Sequence, residues 1–318
     1  MAQRTAVPSL ALGLLVASVS SACGLTSNQK QAVTAFGNGA SAFGSTVESV
    51  APKAADSIDM LREGMITYPS KASKRAFGVE ATDLPNYIYN PNEHKHVDVV
   101  VALADALNQY GQALMDLANY GDSDARLQKF SDIAGSLDSI FRDPIATATA
   151  QAVGQTLGFA ASQVSEAVKK RDLKAVVRAA DPGVKAAAAL LQAEFEGKTA
   201  GTLFFAYGSE IKVYVDRTKG SVDESTEPLM NAALKSEAGC GLPEYEQRRQ
   251  VVAVQRTIVR QQGAFSSLQA AALTATKKLV AAQDQLLQTL DHDSTTWQDI
   301  SDFVSSASKL YAAFKSSN

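Results

Sequence analysis

Apolar residues recur at steps of three and four along most of this chain, the spacing that lines one face of a helix. The first seam runs through Val33, Phe36, Ala40, Phe43, Val47, Val50, Ala54, Ile58, Leu61 and Met65. A second runs through Val100, Leu103, Leu107, Tyr110, Leu114 and Leu117, and a shorter one through Leu127, Phe130, Ala134, Leu137 and Phe141. From Pro182 a helix is expected to about Thr218, through Leu190, Leu191, Phe195, Thr199, Leu203, Tyr207, Ile211 and Tyr214. The longest pattern opens at Pro243 and holds a near-heptad register to Leu290, with Gln262 and Gln283 inside the seam. A last helix carries Trp297, Ile300, Phe303, Leu310, Tyr311 and Phe314 behind an expected Thr295/Gln298 capping box. The pattern predicts an all-α fold: an elongated, mainly antiparallel bundle of about six or seven long helices with coiled-coil-like seams.

The breaks are as informative as the runs. Pro52 should kink the first helix, and Asp181-Pro182 should end one helix and start another. Two irregular excursions are expected, at 67–95 (Pro69, Gly78, Pro85, Pro91) and at 219–242 (Gly220, Pro228, Gly239, Gly241). Between them the sequence reads as one domain over 29–318. Gly37, Gly39 and Gly44 weaken the first helix by propensity. No strand precedes them, so thin side chains at a close helix crossing are expected rather than a phosphate loop.

Residues 1–22 read differently. Arg4 precedes an uncharged apolar run, Leu10 to Val19, and Ser20-Ser21-Ala22 supplies small residues before a cleavage point. Ten apolar residues make a helix of only about 15 Å, half a bilayer core, so a signal peptide fits better than a permanent span. The stretch Val19-Ser20-Ser21-Ala22-Cys23-Gly24 resembles the processing site of bacterial lipoprotein precursors. That resemblance implies cleavage before Cys23, lipidation of Cys23, a membrane anchor at the new N-terminus and, from Gly24, placement at the outer membrane facing the periplasm. Ordinary cleavage after Ala22 also fits, because Ser20-x-Ala22 is a small-x-small site. Residues 23–28 are then the lipidated N-terminus and a tether.

Composition narrows the chemistry. The chain carries 30 Lys+Arg against 33 Asp+Glu, a net charge of −3. No basic excess is available for a phosphate backbone, so nucleic acid is not an expected partner. Cys23 and Cys240 are the only cysteines, which rules out a disulfide-stapled scaffold. Hydrophobic residues make up 46% but aromatics only 7%; much of the rest is Ala, suited to closely packed helices. His94 and His96, flanked by Glu93 and Asp98, are weak metal candidates, since two His at i and i+2 share a side on a strand but not on a helix. No phosphate loop, nucleophile elbow, HExxH or Cys–His pairing is found, and neither an enzyme nor a cofactor is expected.

Two segments suggest a hidden apolar surface. Residues 144–165 lack any ionisable side chain and contain Gly154-x-x-x-Gly158. Residues 199–209, around Leu203, Phe204 and Phe205, are uncharged and aromatic but too short to span a bilayer. Together they could form a membrane or oligomer face. The expected function is a non-catalytic, lipid-anchored protein of the cell envelope, acting as a helical scaffold on a protein partner or on itself. One alternative is a membrane-active protein that resembles the alpha-helical pore-forming toxins in architecture alone, with 144–165 and 199–209 as its inserting segments. Another is a small-ligand or metal binder using residues 67–96.

Overall fold

A computed structural model describes residues 25–67, 91–120, 125, 128–133, 162–164, 167, 173–198, 202–213 and 242–317. Cys23, Cys240, Gly154, Gly158 and nearly all of 144–165 lie outside the described residues, as do 68–90 and 214–241.

The described residues form helices and no strand. We label the main ones α1 (Ser27–Thr67), α2 (Pro91–Tyr120), α3 (Leu173–Glu196), α4 (203–213), α5 (Leu242–His292) and α6 (Gln298–Ser317). At 1.5 Å per residue, the 51 residues of α5 run about 77 Å and the 41 of α1 about 62 Å. The fold is the all-α bundle of long helices that the seams predict.

The first seam is buried as expected. Val33, Phe36, Ala40, Phe43, Val47, Val50, Ala54, Ile58 and Leu61 all lie in the core. Helix α2 runs antiparallel to α1, with Gly111 opposite Gly37 at one end and His94 opposite Asp59 at the other. Glycines set how closely these helices approach. A Cβ added at Gly37 would stand 2.6 Å from the Gly111 carbonyl oxygen, and one at Gly44 would stand 2.6 Å from the Asn108 nitrogen. The α1 glycines therefore make a tight crossing, at some cost in helix propensity.

Helices α5 and α6 form the second antiparallel hairpin. Asp293, at φ 52°, turns the chain after α5. Gln285 Oε1 accepts the Ile300 N–H at 3.1 Å, and Lys278 Nζ meets Asp302 Oδ2 at 2.8 Å. That pair raises the lysine pKa and lowers the carboxylate pKa, each mainly through the shared hydrogen bond. Helix α3 packs antiparallel on α5 through Arg178–Asp291, Lys185–Asp284 and Gln269 to Phe195. Helix α6 packs on α1 in the parallel sense. Residue pairs 39/303 and 53/314 advance together, so these two helices run parallel. Phe303, fully buried, sits between Phe36 and Phe43, with ring centroids 5.8 and 6.1 Å away.

Several boundaries differ from the sequence pattern. Helix α1 begins at Ser27, so residues 25–28 belong to the fold and not to a tether; Leu25 already packs against the core. Helices α1 and α2 extend to Thr67 and from Pro91, narrowing the first excursion from both sides. Helix α3 passes through Pro182 instead of restarting there. Its buried face continues on both sides, with Val176 and Val177 before and Val184, Ala187 and Ala188 after, and that packing outweighs the one missing rung at the proline. The expected helix to Thr218 instead breaks at Gly197. This residue has a left-handed φ of 59°, and Gln269 Nε2 caps the exposed carbonyls of Phe195 and Glu196 at 2.8 and 3.3 Å. The Thr295/Gln298 capping box does not form: Gln298 turns forward to Asp302 at 2.7 Å, and α6 borrows its cap from Gln285. Tyr311, expected inward, is 49% exposed under the Lys315 ammonium.

Candidate functional site

The end of the bundle where α1 starts is closely tied by side-chain hydrogen bonds. Thr26 and Gln29 form a reciprocal capping box: the Thr26 N–H donates to Gln29 Oε1 and the Gln29 N–H to Thr26 Oγ1, both at 3.1 Å. The same Gln29 side chain donates through Nε2 to the Leu290 carbonyl at 2.9 Å, and so caps the end of α5 as well. Thr26 Oγ1 donates to Asp293 Oδ1 at 2.5 Å. Asn28 Nδ2 donates to the Ser294 carbonyl, and Asn28 Oδ1 accepts from Trp297 Nε1 at 3.2 Å. One short stretch, Thr26 to Gln29, thus starts α1, stops α5 and holds the turn into α6. The T-x-x-Q spacing is the sequence signal for it. Removing the Gln29 carboxamide leaves orphan groups at two helix ends. Gln29→Ala should lower unfolding free energy by about 1–2 kcal/mol, read as a shift in urea midpoint at unchanged slope.

The two histidines do not converge. Both lie on α2, two residues apart, and each faces its own carboxylate. His94 Nε2 lies 3.1 Å from Asp59 Oδ2 on α1, whereas His96 Nδ1 lies 3.5 Å from Glu194 Oε1 on α3. Glu194 is buried, and its other oxygen accepts the Leu203 N–H at 2.9 Å. It therefore completes the N-terminus of α4 while facing α2, an arrangement that joins three helices. Among the described residues no three His, Cys, Asp or Glu side chains group to hold a metal ion.

Beside the Glu194–Leu203 link, Phe195, Phe204, Phe265 and Tyr207 form a chain of ring contacts at 4.5–5.4 Å. The Tyr207 pKa is raised, chiefly by burial. A small recess of about 90 Å³ opens between α1, α4, α5 and α6, floored by Phe204, Phe265 and Phe314. The Lys53 ammonium stands 4.7 Å from the centre of the Phe314 ring at its rim. Of the three α4 residues expected on a membrane or oligomer face, Leu203 and Phe204 are 1% and 2% exposed and belong to the core. Phe205 is half-buried. Arg62 and Glu210 tie α4 back to α1 at 3.0 Å. No described helix is long and apolar enough to cross a membrane.

Comparison of the chain with protein-family models, with curated proteins and with solved structures finds no match in any of the three.

Proposed function

We propose that this protein is a non-catalytic lipoprotein of the cell envelope, anchored through Cys23 at the outer membrane and facing the periplasm. Its long helical faces would serve as a scaffold for a protein partner or for a second copy of the chain. The observation that carries the reading is the position of the Thr26–Gln29 capping box. The bundle completes the N-terminus of α1 three residues after Cys23, with caps drawn from residues 26–29 and from the α5–α6 turn. A chain cleaved before Cys23 keeps every one of those groups. A lipidated cysteine there would hold the closed end of the bundle against the bilayer, and two or more acyl chains anchor a protein stably where one does not. Leu203 and Phe204 lie in the core, so in this packing neither offers an exposed face to a membrane or a second copy.

The test is metabolic labelling with palmitate in a diderm bacterium, with fractionation and mass analysis of the N-terminal peptide. The wild-type chain should carry label, pellet with membranes and begin at an acylated Cys23. Cys23→Ala should lose the label and leave the membrane fraction. Label retained in Cys23→Ala, or a mature wild-type chain starting at an unmodified Cys23, would overturn the anchoring.

A further inference from the structure

Toward the end of the bundle where α1 starts, at the meeting of α2, α3 and α5, three buried polar atoms have no hydrogen-bond partner among the described residues: the Tyr110 hydroxyl, Asp181 Oδ1 and Gln283 Oε1. Tyr110 is 5% exposed and Gln283 is 0%. The Tyr110 hydroxyl lies beside the Gln283 carboxamide and within the field of the Asp181 carboxylate, and burial drives its pKa far above the usual phenol range. It is therefore a neutral O–H at any ordinary pH.

The two bare acceptors outnumber the donors that reach them. Asp181 Oδ1 and Gln283 Oε1 can only accept, and the Tyr110 O–H can donate to only one of them. The Gln283 amide nitrogen donates to the Val177 carbonyl at 3.4 Å and Lys185 Nζ donates to Asp181 Oδ2 at 3.0 Å and Asp284 Oδ1 at 2.7 Å, and the N–H each has left reaches neither bare acceptor. No rotation of the hydroxyl satisfies both acceptors. Leaving one bare in a core costs more than a hydrogen bond normally returns, and native interiors rarely tolerate it.

We infer that α2, α3 and α5 enclose an internal hydration site, at which one water donates to Asp181 Oδ1 and Gln283 Oε1 and accepts from the Tyr110 hydroxyl. A water supplies the two missing donors and uses the one donor present, with three polar partners, the usual number for a buried water. A metal cation also could meet three oxygens, but the Lys185 ammonium already neutralises the other oxygen of Asp181 and repels a second positive charge there. The site would help set the register of the three helices. Sequence pattern already marks Gln283 as a polar intruder in the longest seam.

The test combines a crystal structure of the purified protein, at a resolution that shows ordered water, with thermal unfolding of Tyr110→Phe. The expected structure has one density peak within 2.6–3.2 Å of all three atoms. The expected variant melts lower than wild type, because the water loses its donor. A direct Tyr110–Gln283 hydrogen bond with no peak between the helices would overturn the site. So would a higher melting temperature for Tyr110→Phe, the outcome if the hydroxyl were merely unpaired. A peak with contacts of about 2.3–2.6 Å, together with a melting temperature that rises with added calcium but not with an organic cation, would replace the water with a metal ion and overturn the inference.

Discussion

Phe303→Ala should lower the unfolding free energy by about 3–5 kcal/mol, the range for truncating a fully buried phenylalanine. The ring has no exposed surface and touches both aromatic residues of the α1 seam, Phe36 and Phe43. Its place is cut to shape by a neighbour without a side chain: a Cβ at Gly39 would lie 2.9 Å from Phe303 Cδ1. Two long helices hold that space open, so little of the cavity left by the ring can close, and the loss should fall in the upper part of the range. Urea unfolding at 25 °C, with slopes matching wild type, measures it. Tyr311→Ala, on the exposed face of the same helix, should change stability by no more than about 0.5 kcal/mol and checks that α6 itself is not the sensitive element.

Gly111→Ala and Gly263→Ala should shift stability in opposite directions. Intrinsic helix propensity favours alanine over glycine by about 1 kcal/mol at both positions. At Gly263 nothing lies within 4 Å of the added methyl, so the protein should gain about 0.5–1 kcal/mol. At Gly111 the methyl would overlap the Gly37 carbonyl oxygen and lie 2.7 Å from the Ser41 nitrogen, both backbone atoms. Backbone cannot turn aside as a side chain can, so α1 and α2 must separate along a seam that is buried on either side. A net loss of about 2–3 kcal/mol is expected despite the better propensity. Equal and favourable shifts for the two variants in paired denaturant melts would mean that α1 and α2 do not cross as closely as described.

Most of the core was readable from spacing alone, because a long helix repeats its signal many times. Nine of the ten residues assigned to the α1 seam and all six assigned to the α2 seam are buried; Met65 lies in α1, but its side chain is not among those described. What spacing did not predict was settled by single residues. Pro182 reads as a boundary locally, yet the buried face of α3 carries through it. Gly197 sits in a long helical pattern, and only its left-handed backbone, stabilised by Gln269 from a helix distant in sequence, reveals the break. The capping boxes show the same limit. Thr26/Gln29 and Thr295/Gln298 carry the same spacing, but the first closes and the second does not, because Gln285 and Asp302 compete for the groups at the start of α6. For the histidines, the helix placement of residues 94 and 96 keeps the rings apart and pairs them with carboxylates on different helices, distributions that no local motif encodes.

The parallel pairing of α1 with α6 has a consequence for the order in which the chain can fold. The first helix of the fold closes its core against the last, with contacts such as 39 to 303 spanning nearly the whole sequence. Contacts of that separation form late, since the intervening chain must be brought together first. An α1–α2 pair alone leaves the faces of Phe36 and Phe43 that Phe303 covers open to water. A chain emerging N-terminus first, as during synthesis, thus cannot lock into its final packing until α6 has followed. The delay obliges the half-emerged chain to keep its apolar stripe from other chains until its own C-terminus arrives.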